Sequence, residues 1–146
     1  MKAFAKNLPD SIISQIFAVE NESSARQSDT THTKSISENG IIFFIEHDEN
    51  KNIAAFCSAN TLSSDWEIYD VETAPSYRRK GMAKKLMSAL IKAARGGGGE
   101  RILLEVRESN DAAINLYRAL GFKEYSVRKN YYMDNSENAL CMELKL

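Results

Sequence analysis

The sequence holds little that would commit it to metal, redox or membrane chemistry. Its 146 residues include two cysteines and two histidines. Cys57 and Cys141 stand alone, each in an apolar strand-like run. A buried thiol is the default for such a position, and neither cysteine has metal-site or redox-motif spacing. His32 and His47 lie in polar stretches and carry no motif, so a Cys–His nucleophile lacks its partner and no metal is expected. No apolar run approaches the roughly 18 residues of a membrane span. The opening M-K-A-F-A-K-N-L-P-D has no apolar core of signal-peptide length, so a cytoplasmic chain without a membrane partner is expected. An excess of one charge is missing too. Nineteen basic residues against 20 acidic give a net charge of −1, which exerts no general pull toward nucleic acid. There is no internal repeat and no linker. With 43% hydrophobic and 27% charged residues, the composition is that of one ordinary globular domain spanning residues 1–146.

What is present is periodicity. Residues 1–6 read as a short edge strand. Asn7-Leu8-Pro9-Asp10 opens a helix, with Pro9 in its first turn or Asp10 as its cap, and Ile12, Ile13, Ile16 and Phe17 follow at helical spacing. Residues 21–39 are polar, with a second short helix over 26–37. Strands are expected at 41–46 and 53–60, joined by the turn formers of 48–52. Another turn fills 61–65, and a strand follows from Glu67. Gly96 to Gly99 end a helix and open a strand. Their place is therefore that of a helix cap and turn, not of a nucleotide-binding loop, which must follow a strand and open a helix. Residues 101–107 form a strand with Ile102, Leu104 and Val106 on one face and Leu103, Glu105 and Arg107 on the other. Ala113, Leu116, Tyr117 and Leu120 stripe the next helix, Gly121 ends it, and strands follow at 122–127 and 139–146. Three or four helices interleaved with six or seven strands make an α+β or mixed α/β three-layer domain.

The densest signal lies in residues 67–90. Ile68, Tyr69 and Val71 make a strand that Ala74-Pro75 stops. From Met82 the apolar positions Met82, Ala83, Leu86, Met87, Leu90, Ile91 and Ala94 fall on one helical face. Between strand and helix stand Arg78-Arg79-Lys80-Gly81. Gly81 lets another group approach the backbone, and the free N–H groups and dipole of a helix start favour an anion. Residues 76–95 carry seven basic side chains and no acidic one. Together these make a pyrophosphate seat, with a solvated basic turn as the plainer alternative.

Arg78-x-x-Gly81-x-Ala83 after a strand resembles the (Q/R)-x-x-G-x-(G/A) acetyl-CoA signature of the GNAT-type N-acetyltransferases. The downstream run Leu104-Glu105-Val106-Arg107-Glu108-Ser109-Asn110, with Leu116-Tyr117 and Leu120-Gly121-Phe122, resembles that superfamily's "LEVR-x-SN…LY-x-x-LGF" block. Arg128-Lys129-Asn130-Tyr131-Tyr132 before the last strand looks like the ribosomal-protein-alanine N-acetyltransferase (RimI) type. The resemblance covers residues 67–146. It implies the GNAT fold, a central mixed, mostly antiparallel sheet of six to seven strands flanked by three to four helices. It also implies acetyl-CoA as cosubstrate and an amine acceptor, of which the N-terminus of a ribosomal protein is favoured. A monomer or homodimer is expected. The first half departs from that type: A-R-Q-S-D-T-T-H-T-K-S after the first helix lacks the usual aromatic "PWS"-like element, which leaves the acceptor open.

The reaction needs a neutral amine, a donor to the oxyanion and a proton for the departing thiolate. An α-amine, with a pKa of about 8, needs less help from a base than lysine at about 10.4. By resemblance Glu105 is the base, and a carboxylate on an otherwise apolar strand has a physical case for it. The alternative is a surface glutamate paired with Arg107 or a neighbouring strand. Glu67 and Asp70 are rivals for the base and acceptor-side candidates. Tyr117, by resemblance, is the acid, against a plain core tyrosine. Val71, Glu72 and Thr73 are implied to supply backbone groups to the pantetheine, with the Val71 N–H on the thioester carbonyl. Arg78, Arg79, Gly81, Met82 and Ala83 are implied to hold the pyrophosphate. Asn110 is implied to bond the pantetheine, against simple helix capping. Tyr131 and Tyr132 look like acceptor-side residues. Rival functions are a lysine or small-amine acetyltransferase and an acyl-CoA-binding module without turnover.

Overall fold

The structure is a computed structural model that describes residues 1–4, 8–23 and 41–146. The expected helix over 26–37 and the departing segment 25–35 lie outside the described residues. Among the described residues seven strands form one sheet in the order β1-β2-β3-β4-β5-β7-β6. These are β1 (Lys2–Phe4), β2 (Ile41–His47), β3 (Ile53–Asn60), β4 (Asp65–Thr73), β5 (Arg101–Arg107), β6 (Lys123–Arg128) and β7 (Ala139–Lys145). All neighbours are antiparallel except β4 and β5. Three α-helices appear among the described residues: α1 (Asp10–Ser23), α2 (Met82–Gly96) and α3 (Asp111–Ala119).

The helices cover both faces of the sheet, as its strand alternation requires. Ile41, Phe43, Ile45 and Phe56 join Ile13, Ile16 and Val19 of α1 in one cluster. Phe44, Ala55 and Cys57 point the other way, where Leu86, Met87, Leu90 and Ile91 of α2 and Ile114 and Tyr117 of α3 pack with them. Burying each such aliphatic side chain contributes about 1.5–3 kcal/mol. Both cysteines are buried and free.

Several boundaries move. Asp10 does not cap α1 but sits inside its first turn, because the Pro9 carbonyl takes the N–H groups of Ile12 and Ile13 at 2.9 and 3.0 Å. β4 starts at Asp65, not Glu67. Arg101 binds Asp65 through Nε at 2.9 Å and draws this stretch into parallel pairing, which buries Trp66. Phe122 stays outside β6 and packs at 5.8 Å from the Tyr117 ring. Ile114, absent from the expected α3 stripe, is buried there with Tyr117. The glycine run takes the expected place: α2 ends at Gly96, and the N–H groups of Gly97 and Gly99 bond back to Ala93 and Ala94.

Candidate active site

Two features of the ladder open the sheet. β4 and β5 pair only at Asp65–Glu67 with Arg101–Leu103, after which each is bonded on its outer side alone. A bulge also inserts Tyr69 between Ile68, opposite Ala59, and Asp70, opposite Ser58. Bulges bend a strand and sharpen its twist. Beyond the bulge, Ala74 N–H bonds its opposite number, Ala54 O, at 2.9 Å. Antiparallel ladders alternate bonded and non-bonded pairs. The backbone groups of Val71 and Thr73 are therefore turned away from β3, into the gap facing β5.

Two cavities meet in this wedge. The larger, about 550 Å³, runs from Val71 and Thr73 past Arg78, Arg79 and Gly81 to the start of α2. The 3-10 turn Pro75–Tyr77 leads into it. Arg79 (φ 61) and Gly81 (φ 75) are both left-handed, and no side chain caps α2. Its first amides therefore face the cavity without a protein cap. Arg78 fastens the loop through Nε to Thr73 O at 3.3 Å. A Cβ built on Gly81 meets nothing within 4 Å, so this cradle is open space that an anion can fill.

The second cavity, about 450 Å³, lies between Tyr69 and Asp70 of β4 and Glu105 and Arg107 of β5, with Tyr132, Asp134 and Glu137 closing it. Its walls carry five carboxylates (Asp70, Glu72, Glu105, Asp134, Glu137) against the guanidinium of Arg107. The first cavity is basic and this one acidic. Val71, Glu72, Asn110 and Tyr117 line both.

A wedge between parallel strands with an uncapped glycine-marked helix start has a family counterpart. The acetyltransferase (GNAT) family profile matches residues 11–122. The chain belongs to the GNAT acetyltransferase family. It is 39% identical over 105 residues to the ribosomal protein bS18-alanine N-acetyltransferase of Haemophilus ducreyi, covering 70% of this chain and 72% of that protein. Its identity to the Escherichia coli K12 protein of the same name is 36% over 100 residues, 67% and 68% of the two chains. The solved ribosomal-protein-S18-alanine N-acetyltransferase from Escherichia coli aligns at TM-score 0.87 and 28% identity, covering 99% of this chain and 94% of that one. The expected family, fold and resemblance to the ribosomal-protein-alanine type are thus borne out. GNAT acetyltransferases use acetyl-CoA, and the basic cavity fits its pyrophosphate.

Within this GNAT domain the expected residues divide. Val71, Glu72, Thr73, Arg78, Arg79, Gly81, Met82, Ala83, Asn110 and Tyr117 line the basic cavity. Asp70, Glu105 and Tyr132 line the acidic one, whose walls include neither Glu67 nor Tyr131. Tyr131 packs edge-on to Tyr132 at 5.1 Å, with the Arg128 guanidinium 5.5 Å from its ring. Asn110 does cap α3, accepting from Ala113 N–H at 3.2 Å, while also lining both cavities. Glu105 pairs neither with Arg107 nor with an adjacent strand but with Arg128 at 3.5 Å, which reaches it from β6 across β7, and its side chain remains 30% exposed. Tyr117 is buried, and that burial, followed by the nearby Cys57, Glu72 and Tyr132, holds its hydroxyl well above the ordinary phenol pKa. Among the described residues no group of three or more His, Cys, Asp or Glu could hold a metal.

Tyr69, Asp134 and Glu137 escaped the sequence reading. Tyr69 reaches the site because β4 bulges there, and which residue of β4 is extra is set by its pairing with β3. Asp134 and Glu137 carry no local signal, since they reach the site through a loop closed by long-range bonds.

Proposed function

We propose that this chain transfers the acetyl group of acetyl-CoA to the N-terminal α-amine of a protein, with an alanine-starting ribosomal protein as the favoured acceptor. The observation that carries the reading is the meeting of a basic and an acidic cavity at Val71, Glu72, Asn110 and Tyr117. The basic side suits a diphosphate and the acidic side an amine, which is mostly cationic in solution near neutral pH. The names of the relatives in the bS18-alanine group support the choice of an alanine terminus.

In this reading the first amides of α2 and the left-handed turn at Arg79 and Gly81 take the pyrophosphate. Val71 and Thr73 offer backbone groups to the pantetheine arm, and the Val71 N–H is aimed at the oxygen that becomes negative on attack. Glu105, on the acidic side, accepts the proton the amine must lose, directly or through water. Its carboxylate must then exchange Arg128 for the acceptor or a water.

Tyr117 keeps its proton throughout the neutral range. Complete transfer from so weak an acid to a thiolate, whose ordinary conjugate acid has a pKa of about 8.5, is uphill. Its contribution is a hydrogen bond that strengthens as charge builds on the sulfur, while the proton released by the amine remains available to the leaving group.

Release of free CoA from acetyl-CoA with a peptide panel tests the function. Alanine-starting ribosomal peptides should turn over, while N-blocked lysine peptides and polyamines should not. Turnover confined to blocked lysine peptides or polyamines would overturn the acceptor. Tight acetyl-CoA binding without turnover on any acceptor would favour a binding module.

A further inference from the structure

Arg107 lies on the same face of β5 as Glu105 yet does not pair with it. Its guanidinium stands 3.9 Å from the centre of the Tyr132 ring. It donates from Nη2 to Asp134 at 2.9 Å, and from Nη1 to Asn135 Oδ1 and Glu137 Oε2 at 3.3 Å each. Glu137 is shared. Its other oxygen accepts the Ser109 N–H at 2.8 Å, and this is the residue before Asn110, which lines both cavities. The loop closes on itself through Tyr132 N–H to Glu137 O at 3.1 Å and Ser136 N–H to Tyr132 O at 2.8 Å. One guanidinium and one carboxylate thus join the Tyr132 loop of the acidic cavity to the turn that starts α3.

Exposed ion pairs contribute little as a rule. This one differs in two ways: the Arg107 and Glu137 side chains are only 29% and 11% exposed, and the guanidinium stacks and donates in several directions at once. A planar fork can do both, whereas a lysine ammonium is a compact point charge that cannot stack flat on the ring while donating along the same spread of directions.

We propose that Arg107 and Glu137 form a bracket that holds Tyr132 on the wall of the acceptor cavity and fixes that wall against the Asn110 turn. Arg107 is then a positioning residue for the acceptor. The inference rests on reading the acidic cavity as the acceptor site. It predicts a selective defect. Arg107→Gln should raise the acceptor KM about tenfold or more, with a much smaller change in the acetyl-CoA Kd, which the turn at Asn110 touches only at one side. Arg107→Lys should fall between the two. Because Arg107 acts through Tyr132, the double variant Arg107→Gln/Tyr132→Ala should be little worse than Tyr132→Ala alone.

The experiment is steady-state titration of an alanine-starting peptide with these variants and with Glu137→Gln, alongside acetyl-CoA binding and amide hydrogen exchange. An unchanged acceptor KM, additive losses in the double variant, or an equal loss of acetyl-CoA binding would each overturn the positioning role. Hydrogen exchange tests the bracket apart from activity. The Ser109, Tyr132 and Ser136 amides should lose protection in Arg107→Gln and Glu137→Gln, while β4 and α2 keep theirs. If the parent chain acetylates no N-terminal peptide but this local loss is seen, the acceptor reading fails and the bracket stands. Unchanged protection at those three amides overturns the bracket whatever the activity.

Discussion

Replacing Gly81 by leucine separates the pyrophosphate seat from the fold around it. Gly81 sits at φ +75, where an L-residue costs about 1–2 kcal/mol. A Cβ there meets no protein atom within 4 Å, so no packing penalty adds to the backbone strain. For a domain of this size the cost corresponds to a Tm lower by roughly 3–8 °C, with a single cooperative transition. The effect on ligand is larger. The leucine side chain would enter the cavity at the mouth of α2, where the first amides face a bound diphosphate. Losing two hydrogen bonds to a charged group, at about 1.5–3 kcal/mol each, removes about 3–6 kcal/mol. That weakens CoA binding about 10²- to 10⁴-fold. Calorimetric titration with CoA, beside thermal melts of the parent, Gly81→Ala and Gly81→Leu, makes the comparison. The two variants share the backbone cost, and only leucine adds bulk, so alanine should lose less affinity at a similar Tm. A leucine variant that binds CoA within about threefold of the parent, or alanine and leucine losing affinity equally, would refute the assignment of this cradle.

Tyr117→Phe should lower kcat by about 10²- to 10³-fold, the usual cost of removing one hydrogen-bond donor aimed at developing negative charge. The acetyl-CoA Kd should change little; steady-state turnover and equilibrium binding check the two separately. Gly97→Ala should destabilise the fold by about 1–3 kcal/mol, because its Cβ would sit 3.1 Å from Ala93 O and 3.2 Å from the Trp66 ring. Urea unfolding should detect this, with CoA affinity unaffected, since Gly97 is remote from both cavities. Glu137 gives a pH dependence. Hydrogen bonding to Ser109 holds its carboxyl at about 2, against 4.5 for the free group. A depressed folded-state pKa stabilises the fold above the unfolded value, and that contribution is lost as pH falls from about 4.5 through about 2. The Tm gap between the parent and Glu137→Gln should therefore be widest near neutral pH and shrink through this window; a gap that stays constant would contradict the linkage.

The basic half of the site was legible because it is local. Strand, left-handed turn and helix start lie within residues 67–90, and each residue type there has a direct backbone reason. The α2 stripe of Leu86, Met87, Leu90, Ile91 and Ala94 is buried as its spacing required. The four glycines end that helix as their context required. What was not legible depends on pairing between distant strands. The start of β4 at Asp65 needs Arg101 to bind it, and local sequence around Trp66 does not announce a partner 36 residues away. The bulge at Tyr69 is set by the offset between β3 and β4, which no single strand reveals.

The acidic half is harder still, because its wall is a loop whose shape is dictated from outside. Arg107 read as a possible partner for Glu105, two residues away on the same face. The nearer choice is not taken. Three acceptors and a ring in the loop before β7 satisfy the guanidinium together, and Glu105 instead meets Arg128 from the outermost strand. Two arginines thus sort two carboxylates: one leaves Glu105 with an exposed partner, and the other locks Glu137 into the fold. A base must be able to exchange its partner for substrate, whereas a bracket must not. This difference in exposure and hydrogen bonding, rather than the presence of carboxylates in the wedge, distinguishes Glu105 as the candidate base from the acids that shape its cavity.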